Sequence, residues 1–125
     1  MLKSKAMKWV KALRSGKYKQ TKRMLYKPTT TESGPEGYCC LGVLGCISGF
    51  KNEDLEFAAL LEDRKDTCGV RWGDGSPLNL DGFGKRLKFK VKGELKSFDS
   101  LAEANDKGVS FKQIASWIEK NYELL

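Results

Sequence analysis

Tyr38-Cys39-Cys40-Leu41-Gly42-Val43-Leu44-Gly45-Cys46-Ile47 contains no charged residue. In a chain whose residues are 31% charged, such a run belongs at the centre of a core. Periodicity alone does not separate a buried helix from a buried strand here. The small residues Gly42, Gly45 and Cys46 suggest a helix that packs closely against a neighbour, with Gly49 as its stop. Ten residues broken by two glycines are too few to span a bilayer, which needs about 20.

Upstream of this run the chain is strongly basic. Ten of residues 1–27 are Lys or Arg, and the first acid is Glu32. The other 98 residues carry 13 basic and 16 acidic side chains, so the formal charge of +7 combines a +10 segment with a body of −3. This imbalance speaks about partners, because it concentrates anions near one part of the molecule. Leu2, Ala6, Trp9, Val10 and Leu13 fall within an arc of roughly 100° on a helical wheel, and lysines fill the remainder. A first amphipathic helix is expected to end at Gly16. The positive charge continues beyond it through Lys17, Lys19, Lys22, Arg23 and Lys27. Met24-Leu25-Tyr26 reads as a short strand, and residues 27–37, with Pro28, Gly34, Pro35 and Gly37, as a loop.

Length, at 125 residues, fits one domain. The opening Met1-Leu2-Lys3-Ser4-Lys5 lacks the apolar stretch of a secretory signal. A cytoplasmic setting is therefore expected, and with it reduced thiols at Cys39, Cys40, Cys46 and Cys68.

Three pieces of the chain carry a resemblance. They are Trp9-Val10-Lys11-Ala12-Leu13-Arg14-Ser15-Gly16-Lys17-Tyr18-Lys19-Gln20, then Tyr38-Cys39-Cys40-Leu41-Gly42-Val43-Leu44, then Asn105-Asp106-Lys107-Gly108-Val109-Ser110-Phe111-Lys112-Gln113-Ile114-Ala115. In this order they resemble a family of short tailed-phage proteins with the pattern W-x3-LRSG-x-Y-x-Q, YCCLGVL and ND-x-G-x-SF-x-x-IA. The resemblance implies an accessory protein acting in the cytoplasm of an infected bacterial host. Inhibition of host defence or of a host enzyme is the expectation for such a protein.

Between the pieces, residues 54–64 read as a helix and residues 69–84 as a pair of glycine-rich turns. No P-loop order of Gly, Lys and Ser/Thr is present there. Residues 85–93 are the clearest strand, with Leu87, Phe89 and Val91 alternating with Lys88, Lys90 and Lys92. Those lysines could meet an anion, or simply guard a sheet edge. The last 26 residues read as a helical hairpin over 100–125. Ser100-Leu101-Ala102-Glu103 and Ser110-Phe111-Lys112-Gln113 are capping boxes, and Gly108 breaks the chain between them. Phe111, Ile114, Ala115, Ile118 and Tyr122 share one face of the second helix. Ala104, Gly108 and Ile114 stand at the offsets of a DNA-binding helix-turn-helix, but the would-be recognition helix offers Lys112, Gln113, Ser116 and Lys120 against Glu119 and Glu123.

The chain has no histidine, which removes Ser-His-Asp and Cys-His machinery and every His-containing metal site. The cysteines lack C-x2-C spacing, so no metal and no cofactor is expected. Cys39, at a helix start near lysines, is the one candidate nucleophile, and no general base accompanies it.

The expected fold is α+β, a single small domain with helices packed on a short antiparallel sheet. The expected function is non-enzymatic: a binding protein that blocks or sequesters an anionic host molecule, either nucleotide-like or an acidic protein surface, with no membrane partner. The binding residues would be Arg14, Lys17, Tyr18, Lys19, Gln20, Lys22, Arg23, Tyr38 and Cys39. Irregular backbone after Gly16 would offer N–H groups to the anion. Tyr18 would stack and Gln20 would pair with an amide-like edge. The alternative is a nucleic-acid binder that uses the basic N-terminus together with the C-terminal hairpin.

Overall fold

Ala6, Trp9, Val10 and Leu13 return every three or four residues, so a helix gathers them on one side. In the computed structural model, which describes residues 2–29, 34–53, 55 and 87–125, helix α1 runs Lys3–Arg14 and buries these four. Leu2 does not join them. It sits at the N-cap position and is 68% exposed. Ser15 caps the C-terminus, and Gly16 follows with φ 76°.

The uncharged run is a helix. α2 spans Cys40–Ile47, with Cys40 to Gly45 buried, and ends through Ser48 and Gly49. Two strands of two residues precede it. β1 (Tyr26–Lys27) pairs antiparallel with β2 (Gly37–Tyr38), and Gln20 makes a parallel bridge to Tyr38. The strand expected at Met24 therefore starts two residues later. The Leu25 C=O still accepts from the Cys39 N–H at 3.3 Å, in register with the β1–β2 pairs, but Leu25 itself lies in a bend. Gly42 packs directly on that carbonyl, and a Cβ there would collide with the Leu25 backbone. Trp9 joins the same junction from α1, its indole Nε1–H donating to the Cys40 C=O at 2.9 Å.

The helix expected over residues 54–64 and the turns of residues 69–84 lie outside the described residues, apart from Leu55, which is buried. β3 (Lys88–Val91) follows the expected alternation: Leu87 and Phe89 are buried, while Lys88, Lys90 and Lys92 are exposed. It pairs with β4 (Glu94–Ser97), a strand the sequence did not signal because all four of its residues are exposed. Lys92 (φ 52°) and Gly93 (φ 82°) form the two-residue turn, the combination of a type I′ hairpin.

Helices α3 (Leu101–Asp106) and α4 (Phe111–Asn121) complete the chain, with a short 3-10 turn at Tyr122–Leu124. The Ser110/Gln113 box forms in full. At α3 the Ser100 hydroxyl accepts from the Glu103 N–H, while the Glu103 carboxylate reaches past Ser100 to the Asp99 N–H at 2.9 Å. α3 ends in a Schellman motif: Val109 N–H donates to Ala104 C=O, Gly108 N–H to Asn105 C=O, and Gly108 has φ 101°. Trp117 of α4 is buried beside the expected Phe111, Ile114, Ala115 and Ile118, whereas Tyr122 is only half-buried. The architecture is α+β, with the helices around one core and two small antiparallel two-stranded sheets.

One polar side chain sits inside this core. Asn105 is fully buried and fully satisfied. Its Nδ2–H donates to the Thr21 C=O at 2.8 Å, and its Oδ1 accepts from Gln20 Nε2 at 2.9 Å and from the Cys40 N–H at 3.2 Å. Gln20 extends the network, its Nε2–H also donating to the Val109 C=O at 2.7 Å and its Oε1 accepting from the Phe111 N–H at 3.2 Å. Asn105→Ala strands these partners away from water. It should lower stability in urea unfolding by about 3 kcal/mol, as several buried polar groups at 1–3 kcal/mol each would suggest. Gly42→Ala should also destabilise, by about 1–3 kcal/mol, because the Leu25 backbone must move. Lys22→Ala, on the exposed segment, should stay within about 0.5 kcal/mol of the parent.

Candidate functional site

The outer face of α1 exposes Lys3, Lys8, Lys11 and Arg14. Arg14 is committed to the fold: its guanidinium pairs with Glu119 at 2.7 Å and also reaches the Ser116 hydroxyl, tying α1 to α4. This is the only salt bridge among the described residues. Beyond Gly16, Lys17, Lys19, Lys22 and Arg23 are exposed. Among the described residues, no carboxylate forms an ion pair with Lys17, Lys19, Lys22 or Arg23.

Beside it stand three tyrosines. Tyr18 meets Tyr38 edge-on, with ring centroids 5.2 Å apart, and Tyr26 tilts against the other side of Tyr38 at 5.1 Å. Both separations are those of favourable aromatic pairs. The Lys17 ammonium lies 5.9 Å from the Tyr18 ring centre. The Tyr38 hydroxyl donates to Asn52 Oδ1 at 3.1 Å, and the Tyr26 hydroxyl to Glu36 at 3.0 Å. Cys46 closes the cluster, 3.9 Å from the same Asn52 oxygen. Burial, with smaller additions from Cys46 and Glu36, pushes the Tyr38 hydroxyl up to about 12. Burial likewise raises Tyr18 and Cys46, and Glu36 adds to the rise at Cys46 while Lys17 opposes it. These groups hold their protons at neutral pH, so the cluster presents neutral hydroxyls next to cations.

Among the described residues, the nine expected to bind do not line one common cleft. Gln20 has its whole amide engaged inside the protein by Asn105, Val109 and Phe111, so it is a fold residue rather than a recognition residue. Tyr38 is 7% exposed and stacked on both sides. Three of the N–H groups expected to meet an anion are taken: Lys17 by the Ser15 hydroxyl, Thr21 by the Tyr38 C=O, and Arg23 by Asp106 at 2.8 Å. Arg23 and Cys39 share a cleft of about 350 Å³ with Leu41, Ala102 and Asp106. Lys19 lines a separate cleft of about 210 Å³ with Lys27, Pro35 and Glu36. What remains available to a ligand is the outer rim of the segment, formed by Lys17, the half-buried Tyr18, Lys19, Lys22 and Arg23.

Cys39 is the N-cap of α2, its Sγ accepting from the Gly42 N–H at 3.4 Å, and it is 5% exposed. Cys40 is fully buried, and that burial pushes its thiol well up; its Sγ–H donates to the Leu101 C=O. Cys39, Cys40 and Cys46 are free thiols, and Cys68 lies outside the described residues. No three Cys or carboxylate side chains among the described residues converge as a metal would require. Among the same residues, no helix is long and apolar enough to cross a membrane.

Of the helix-turn-helix offset residues, Ala104 and Ile114 are completely buried, and Gly108 makes the turn with φ 101°. The face of α4 that would read DNA is partly spent within the protein. Gln113 Nε2 is held by the Lys90 C=O, and Glu119 is paired with Arg14.

Fold and surface together define a small α+β domain with an exposed cationic rim beside a tyrosine cluster. The chain belongs to the family described as a domain of unknown function, DUF8296, whose model matches residues 1–122. No curated protein and no solved structure matches it.

The tyrosine cluster has a consequence at high pH. A phenol that keeps its proton to about 12 when folded, against about 10 when unfolded, contributes stability that is intact below pH 10. That contribution is lost as pH rises through the folded value. Stability measured by urea titration should therefore fall between pH 10 and 12, with Tyr18 and Cys46 adding to the slope. Tyr38→Phe should flatten part of it, and an unchanged slope would place the loss elsewhere. Alkylation of the native protein should leave Cys40 protected at neutral pH, with Cys46 reacting faster only once the pH exceeds the ordinary thiol range.

Proposed function

We propose that this protein is a phage-encoded, non-enzymatic binding protein that blocks or sequesters an anionic molecule of the bacterial host. On this reading it acts in the host cytoplasm against a host defence or a host enzyme. The single observation that carries the proposal is the state of the N-terminal charge. Lys3, Lys8, Lys11, Lys19, Lys22 and Arg23 are exposed, and none has a carboxylate in ion-pair reach among the described residues. Like charges gathered on one segment repel one another, and a fold seeking only stability would intersperse acids. An anionic partner removes the repulsion.

The working surface is the rim from Lys17 to Arg23. On the convex face of α1 the lysines are fully solvated, and single contacts there contribute on the order of 0–1 kcal/mol. On the rim, Lys17 and Tyr18 form one unit, so a cation and a half-exposed ring edge can act on the same ligand. Tyr18 and Lys19 are the specificity residues of this reading, and Gln20 holds the segment in place from within.

Two measurements test it. Binding of duplex DNA should be weak and electrostatic, with log K falling against log salt at a slope of about −5 if roughly 6 phosphates are neutralised. Sequence-selective, salt-resistant DNA binding would defeat the proposal and favour the nucleic-acid alternative. In the second measurement, Lys19→Glu combined with Lys22→Glu should lower plaque efficiency on a defence-carrying host about tenfold or more with melting temperature retained, while Lys3→Glu with Lys8→Glu should be tolerated, since exposed charges contribute little singly. The reverse pattern would move the site to the helix.

A further inference from the structure

β3 carries Lys88 and Lys90 on one face, and their cross-strand partners on β4 are Ser97 and Leu95. Leu95 is 64% exposed, and the other large apolar side chain so exposed among the described residues is Leu2 at the start of α1. Packing does not account for Leu95. The hairpin meets the core through its opposite face, where Phe89 lies against Phe98 with ring centroids 6.1 Å apart. Helix α4 flanks the outer edge of β3, and Gln113 clamps the two together by donating to the Lys90 C=O at 2.9 Å. That bond fixes the distance between hairpin and helix, so the space between them is a built feature.

The space is an open groove of about 410 Å³, room for one or two side chains. Leu95, Phe89 and Trp117 supply its apolar part, and Lys88, Lys90 and Lys120 surround them. Among the described residues, no carboxylate lines it. The hydroxyl of Ser116, also in the lining, is already spent on the Lys112 C=O. The groove therefore combines an exposed apolar contact with three cations of one sign.

We infer that this groove binds an acidic peptide segment of another protein. An apolar side chain of the segment rests on Leu95 and the edge of Trp117, and the carboxylates flanking it meet Lys88, Lys90 and Lys120. The charge sets the sign of the partner. The aromatic residues decide its class: Phe89 and Trp117 are 6% and 7% exposed, so no free ring face offers the stacking platform that a single-stranded nucleic acid uses. A leucine side chain ringed by lysines instead suits an aliphatic or aromatic residue set among acids. The residues involved are not those of the Lys17–Arg23 rim, so the groove and the rim stand or fall separately.

The test is a titration of the isotope-labelled full chain, followed by amide shifts in NMR. The probe is the peptide Gly-Asp-Glu-Leu-Glu-Phe-Asp-Glu-Gly, compared with the same peptide carrying Ser for Leu and Phe, and with an oligothymidylate of equal charge. The first peptide should move amides of residues 88–95 and 116–120 and bind about tenfold more tightly than the serine peptide, an apolar increment of ordinary size. Lys90→Glu should weaken it about tenfold and Leu95→Ser about fivefold, while both exposed substitutions keep the melting temperature. Equal binding of the serine peptide or of the oligothymidylate would overturn the inference, since bare charge would then explain everything. Shifts confined to residues 3–23, or no binding at all, would overturn it too.

Discussion

The amide of Asn105 is the point through which the chain's three best-packed pieces meet. Fully buried, it accepts from Gln20 and from the first N–H of α2, and it donates to the Thr21 carbonyl. A neutral amide in an apolar interior is costly unless each of its atoms finds a partner. Here the partners come from segments 65 and 84–85 residues away in sequence. The network can close only when α2, the segment after α1, and the α3–α4 turn are all in place. It works as a checkpoint on the assembled fold, a function that apolar contacts, being non-directional, perform poorly.

Close approach of backbones is the second constraint, and it depends on the first. The Gln20–Thr21 segment is held against Asn105, and the chain then turns through Arg23, whose positive φ is supported by the bond from its N–H to Asp106. Leu25 is thereby delivered onto α2 at a place where only a glycine fits, Gly42. The Trp9 indole closes the same junction from α1. The result is a rigid base under a segment whose outward side chains are almost all cationic. Rigidity matters for recognition, since a preorganised rim spends less conformational entropy on binding.

That division of labour explains why the basic segment looks contradictory by composition. Its inward side chains, Gln20 and the buried edge of Tyr18, serve the fold, while Lys17, Lys19 and Lys22 face solvent. Alternating inward and outward residues is how an extended strand serves two purposes at once. The hairpin of β3 and β4 repeats the device at the other end of the chain, with Phe89 inward and Lys88 and Lys90 outward. Both cationic surfaces are tied to the rest of the protein by a glutamine side chain, Gln20 from within its own segment in one case and Gln113 of α4 at the outer edge of β3 in the other.

By itself the sequence determined everything that depends on short-range periodicity and local hydrogen bonding. The stripe of Ala6, Trp9, Val10 and Leu13 gives α1, the alternation from Leu87 to Val91 gives β3, and the Ser110/Gln113 box with Gly108 gives the C-terminal helices, because each signal lies within one or two turns of chain. The α+β class and the basic N-terminus follow in the same way. Tertiary structure decided what depends on distant partners. The helical state of the uncharged run was settled by the indole of Trp9 and the carbonyl of Leu25 packing against it. β4 carries no apolar alternation and exists only as the partner of β3. Gln20, a polar residue between lysines, reads as a surface residue until Asn105 appears beside it from 85 positions away. Nothing local distinguishes a solvated amide from a buried one. The same limit separated the residues expected to bind together, because a site is a property of which segments meet, and that meeting is set by long-range packing and by polar satisfaction in the core.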